Sequence, residues 1–118
     1  ACFDMGPDLF EFYPTIRPQL VHILGAKDED DAREKLKAYT LAGVAERITT
    51  PLMVVHGEDD FLVKKEGAYE TYNRAKGPKV LKVFQPDEGG ALHCQHDNYV
   101  RALPLMWDWL ADQLQAAK

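Results

Sequence analysis

Two side chains in this sequence have the type and setting for acid–base chemistry. They are Asp60, in Gly57-Glu-Asp-Asp60, and His93, in Gly89-Gly-Ala-Leu-His93. An imidazole is a useful base only in the correct tautomer, and a carboxylate bonded to its Nδ1–H both fixes that tautomer and stabilises the imidazolium that follows. Each residue also has a plainer use. An aspartate soon after a glycine suits a turn or the N-cap of a following helix, and His93 suits a loop histidine with local hydrogen bonds. His93, Cys94 and His96 are close enough together to suggest zinc ligands, but a structural zinc site takes four, and Cys2 and His22 are remote. Cys94 as a nucleophile would need a base and an oxyanion hole of its own. His56, ending an apolar run, reads as strand-end packing, and His22, among Leu20, Val21 and Ile23, as structural.

The elements that must position Asp60 and His93 follow from periodicity. Residues 51–56 (Pro-Leu-Met-Val-Val-His) form a continuous apolar run of strand length, closed by Gly57, and 79–84 form a second. Both read as strands covered on two faces, as in a parallel sheet. Ala1-Cys-Phe3 is a third candidate strand, and 4–13 reads as the strand's end running into a loop. Helices are expected over 15–24, with Pro18 near the start and Gly25 as C-cap, and over 29–39, where the acidic run Asp28–Asp31 suits a helix N-terminus. A short helix is expected over 44–48. Another spans 65–76 with Ala68, Tyr72 and Ala75 on one face. The last carries a stripe of Leu103, Met106, Trp107, Leu110 and Leu114 laid on the sheet, with Pro104 set to kink it or delay its start. Strand, helix, strand, helix is α/β order. Asp60 and His93 then each fall just past the carboxyl end of a strand, where open parallel sheets gather functional groups.

Longer motifs carry a family resemblance. Ile48-Thr-Thr-Pro-Leu-Met-Val-Val-His-Gly-Glu-Asp-Asp60-Phe-Leu-Val63 resembles the acid-bearing strand of α/β-hydrolases, where His-Gly-x-x-Asp-x-x-Val recurs. Val83-Phe-Gln-Pro-Asp-Glu-Gly-Gly-Ala-Leu-His93-Cys-Gln-His-Asp-Asn98 resembles the His loop of a narrower group that usually reads Gly-Gly-Ala-Glu-His-Cys-Gln, with Leu92 in place of the Glu. That group includes esterases of the fermentation-respiration-switch type, the 2,6-dihydroxypseudooxynicotine hydrolase and fungal polyketide-shortening hydrolases. The resemblance implies the C-terminal part of an α/β-hydrolase fold. It would have two or three parallel strands with flanking helices, with the terminal strands and helices at about 48–118, part of a helical cap at about 4–47, and Ala1-Cys2 resembling the strand just before that cap. Asp60 becomes the triad acid, in preference to Asp59, and His93 the triad base. The substrate implied is a small-molecule ester or a ketone cleaved at an adjacent carbon–carbon bond, with no cofactor and no metal. In such a cap, Phe10, Phe12 and Tyr13 would either line a pocket or pack. The chain contains no serine and no Gly-x-Ser-x-Gly, so the nucleophile is expected in an upstream segment and the 118 residues alone are expected to be inactive.

Composition narrows the alternatives. A net charge of −5 with acids and bases interspersed offers no basic patch for a phosphate backbone, which argues against nucleic-acid binding. No apolar run approaches the ~20 residues of a membrane span. Two cysteines at opposite ends, without a secretory signal, point to a reduced, cytoplasmic setting. So small a sheet would leave apolar edges open, so the runner-up is a truncated, non-catalytic derivative that self-associates or binds through a sheet edge.

Overall fold

Strand β1 (Leu52–Gly57) and strand β2 (Lys79–Phe84) pair in parallel, in register from Leu52 opposite Lys79 to Gly57 opposite Phe84. They are the two strands of a computed structural model that describes residues 5–116. The candidate strand at Ala1-Cys-Phe3 lies outside the described residues. Helix α4 (Lys65–Arg74) makes the crossover between β1 and β2 and packs along both. It buries Ala68 and Thr71, with Ala75 just past its end, whereas Tyr72 stays half-buried under the Lys79 ammonium. The fold is therefore mixed α/β, as the order of elements requires.

Alternation along β1 puts Val54 and His56 on one face and Met53 and Val55 on the other. The second face meets helix α5 (Tyr99–Ala116), where Met106, Trp109 and Leu110 join Met53 and Val55 around an apolar cavity of about 200 Å³. Here the structure departs from the expected stripe. Trp107 is 63% exposed, and Leu103 and Leu114 are also exposed. Trp107 follows Met106 by one residue, so it lies about 100° further round the helix, and two strands are too narrow a sheet to cover both sectors. Pro104 sits inside α5 without ending it. The carbonyl it leaves unpaired is that of Val100, a residue 88% exposed on the first turn.

The described residues ahead of β1 form short helices joined by turns. The segment expected as a loop is instead helix α1 (Met5–Phe12), a correction with a clear cause. Gly6 and Pro7 lie in the first turn, where backbone N–H groups have no intrahelical partner to lose. The gain comes from Phe10, fully buried against Ala32 and Leu36 of helix α3 (Glu29–Leu36). The guanidinium groups of Arg17 and Arg33 lie over its ring, 5.4 and 5.0 Å from the centroid. Leu20, Val21, Leu24 and Ala26 complete this small core. Leu20 and Val21 belong to helix α2 (Arg17–Ile23), which follows a 3-10 turn at Pro14–Ile16. Gly25, at φ 56°, closes α2 with N–H bonds from Gly25 to His22 O and from Ala26 to Val21 O, the paired pattern of a left-handed C-cap. His22, expected among apolar neighbours, is exposed. The acidic run behaves as expected: Asp28 caps α3 by accepting from Asp31 N at 2.8 Å. The short helix near 44–48 is a 3-10 turn at Ala45–Arg47.

Gly57 decides how the loop bearing His93 meets the sheet. A Cβ there would lie 2.5 Å from the Ala91 carbonyl carbon and 2.7 Å from Leu92 O, and closer still to Ala91 O. All of these are backbone atoms that cannot swing aside. Gly57→Ala is therefore expected to cost about 2–3 kcal/mol, read as a lower denaturant midpoint at unchanged m. A change below about 0.5 kcal/mol would show that this loop does not rest on the end of β1.

Candidate active site

The acid loop starts where β1 stops. Glu58 N continues the ladder to Phe84 O at 2.9 Å, Asp59 N reaches across to Ala91 O at 2.9 Å, and Asp60 N turns back to Gly57 O at 3.2 Å. Asp60 then uses its two oxygens differently. Oδ1 accepts from Leu62 N at 2.9 Å and Val63 N at 3.0 Å, an Asx turn that fixes the carboxylate on its own loop. Oδ2 faces His93 Nδ1 at 2.9 Å, across 33 residues of sequence. The plainer expectation for Asp60 is thus half right: it does hold a turn, but it does not cap α4, whose N-cap is Lys64 with no side-chain cap bond.

An ionised carboxylate only accepts, so the proton in this contact sits on His93 Nδ1, and in the neutral ring Nε2 then holds the basic lone pair. Among the described residues no hydrogen bond engages Nε2. The Asp60 side chain is 4% exposed and that of His93 31%. A carboxylate shielded from water but satisfied on both oxygens, paired to a ring that reaches solvent, is a suitable arrangement for orienting a general base. His93 and Asp60 are brought together from the loops that follow β2 and β1, as parallel pairing requires.

No known protein-family model, curated protein or solved structure matches this chain.

His56 is buried beneath the acid loop. Its Nε2–H donates to Val63 O at 3.2 Å and lies 3.9 Å from Asp60 Oδ2, so it braces the loop from inside the sheet. Burial disfavours the imidazolium and lowers the His56 pKa below its ordinary 6.5, although the Asp60 charge opposes this. Below about pH 6.5 the unfolded chain therefore binds a proton here that the folded chain refuses. The contribution is fully present above that pH and is lost as pH falls toward the lower folded value. His56→Gln is expected to flatten the decline in stability between about pH 7.5 and 5.5. Denaturant midpoints for both proteins at the two pH values check this, and an unchanged slope would count against it.

The metal alternative finds no geometry. Among the described residues no three His, Cys, Asp or Glu side chains gather around a point that could hold an ion. Cys94 is exposed, and His96 donates Nδ1–H to the His93 carbonyl at 2.7 Å. Of the three aromatics considered for a pocket, Phe10 is core, and Phe12 and Tyr13 are both exposed, Phe12 with Lys64 Nζ 3.8 Å from its ring centroid.

Two acidic residues that matter to the loop were not singled out from sequence. Asp97 accepts from Gly90 N at 2.7 Å, Ala91 N at 3.2 Å and Leu92 N at 3.1 Å. Partial removal from water opposes its ionisation, but these backbone donors outweigh that and hold the carboxyl below its usual range. Glu88 bonds Lys82 and Gln85 N and pairs with Arg101, and these partners, the Lys82 bond first, hold its pKa at about 2. The only local cue for Asp97 was Asp-Asn ahead of an apolar stripe, which reads as a helix N-terminus. Asn98 does serve there, accepting from Arg101 N. No helix is long and apolar enough to cross a membrane among the described residues.

Proposed function

We propose that the chain is the acid- and base-bearing C-terminal part of an α/β-hydrolase, acting on a small-molecule ester or on a carbon–carbon bond next to a ketone. The observation that carries this reading is the 2.9 Å contact of His93 Nδ1 with a buried Asp60 Oδ2, made from loops at the carboxyl ends of adjacent parallel strands. In the proposed reaction His93 Nε2 takes the proton of a serine supplied by an upstream segment as that serine attacks the carbonyl. His93 then returns the proton to the leaving group, while Asp60 balances the imidazolium between the two steps. Neither step calls on a metal or cofactor. Residues of α1 to α3 would belong to a helical cap, with Phe12 against Lys64, the residue that follows the acid loop. The test is to read the coding sequence upstream and find a strand, Gly-x-Ser-x-Gly and a helix, then label that serine with an organophosphonate in the extended chain. An upstream sequence without such a serine ends the proposal.

A second reading, a non-catalytic module that associates through uncovered apolar surface, is favoured by one observation: Val100, Leu103, Trp107 and Leu114 are exposed along α5. Size-exclusion chromatography separates the two, since a monomer at high concentration argues against assembly through that face or the sheet edge.

A further inference from the structure

We propose that Asp97 is a positioning residue, whose carboxylate gathers the N–H groups of Gly90, Ala91 and Leu92 and so sets the His93 ring against Asp60; this rests on the reading of His93 as the base.

The residues before His93 are held from two sides. Their N–H groups point to Asp97, and the Ala91 carbonyl accepts from Asp59 N at 2.9 Å. Gly90, at φ 87°, is pressed on the Phe84 ring, where a Cβ would stand 3.1 Å away. The residues after His93 take conformations that side chains resist: Cys94 and Gln95 have φ of 54° and 56°. Local turns, from Gln95 N to Leu92 O at 2.9 Å and from Asn98 N to Gln95 O at 3.0 Å, fold this segment but leave its direction relative to Asp60 undetermined. Asp97 supplies the direction. It lies beside the start of α5 and bonds back across seven residues to the stretch that His93 leaves. Three donors converging on one ionised carboxylate form a charge-assisted set that separate water molecules would not replace in the same geometry.

The experiment is proton–nitrogen NMR of the 118-residue chain and its D97N, D97A and D60N variants. In the unmutated protein the His93 Nδ1–H resonance and the amides of Gly90, Ala91 and Leu92 are expected to be protected from exchange. In D97N those three amides are expected to exchange about tenfold faster or more. The His93 Nδ1–H signal is expected to broaden or vanish, while amides of β1 and α4 keep their shifts. D97A should show the larger effect; if it does not fold, D97N, which keeps the volume and one acceptor, decides. A folded variant with the His93 signal unchanged overturns the proposal, as do unprotected amides at 90–92 in the unmutated chain. D60N separates this from the underlying reading. Loss of the His93 signal in D60N with its survival in D97N sinks the role of Asp97 alone. Survival in D60N sinks the Asp60–His93 pair itself.

Discussion

The 118 residues alone are expected to hydrolyse an activated ester no faster than their His93→Ala variant. In the proposed reading Asp60 and His93 are the orienting half of a serine triad, and these 118 residues contain no serine to be activated. Losing the nucleophile from such a triad costs about 10⁶-fold in turnover, roughly 8 kcal/mol of transition-state stabilisation. An oriented imidazole can assist water, but water is neither held nor desolvated as a bound hydroxyl is. Release of nitrophenol from its acetate by purified protein and by the variant measures the difference. A rate from the unmutated chain many times that of the variant would show His93-dependent turnover without an added serine, and the expectation of an inactive chain would be wrong.

In a chain extended to carry the serine, Asp60→Asn is expected to lower kcat about 10⁴-fold with KM little changed. The substitution is selective because Asp60 does two separate things. Its Oδ1 accepts from Leu62 and Val63, and an Asn carbonyl can do the same, so the turn survives. Its Oδ2 faces His93 Nδ1, and an Asn NH₂ placed there donates where an acceptor is needed. The imidazole then moves its proton to Nε2, the nitrogen that must take the serine's proton. Steady-state kinetics on the matched pair decides this. A loss under about tenfold, in a variant as stable as its parent, would remove Asp60 from the triad.

The exposed face of α5 bears on both results. Trp107, Leu103 and Leu114 lie beyond what two strands can cover, as expected if further sheet or another protein surface belongs beside them. The cavity bounded by Met53, Val55, Met106, Trp109 and Leu110 fits the same incomplete packing. If the proposed upstream segment adds strands there, the extended chain is expected to be more stable as well as to carry the serine.

Local chemistry made much of this protein legible from its residues. The apolar runs at β1 and β2, the acidic start of α3 with Asp28 as its cap, and the Gly25 stop after α2 each depend on neighbours within a turn or a strand's length. The loop holding Asp60 was marked in the same way, by a glycine directly after a strand-like run, and the loop holding His93 by Gly89 and Gly90 a few residues beyond the next run. Tertiary packing decided the rest. Residues 5–12 are helical because Phe10 finds a pocket on α3, which no local pattern near Gly6 and Pro7 announces. Which sector of α5 is buried depends on the width of the sheet beneath it. The closure of Asp60 on His93 across 33 residues depends on a glycine at 57 that lets two backbones touch, and the loop itself on Asp97, whose partners precede it by five to seven residues. Periodicity and turn preference record what each residue does to its own backbone; a contact between loops is set by how the strands beneath them pair, and only the folded chain holds that.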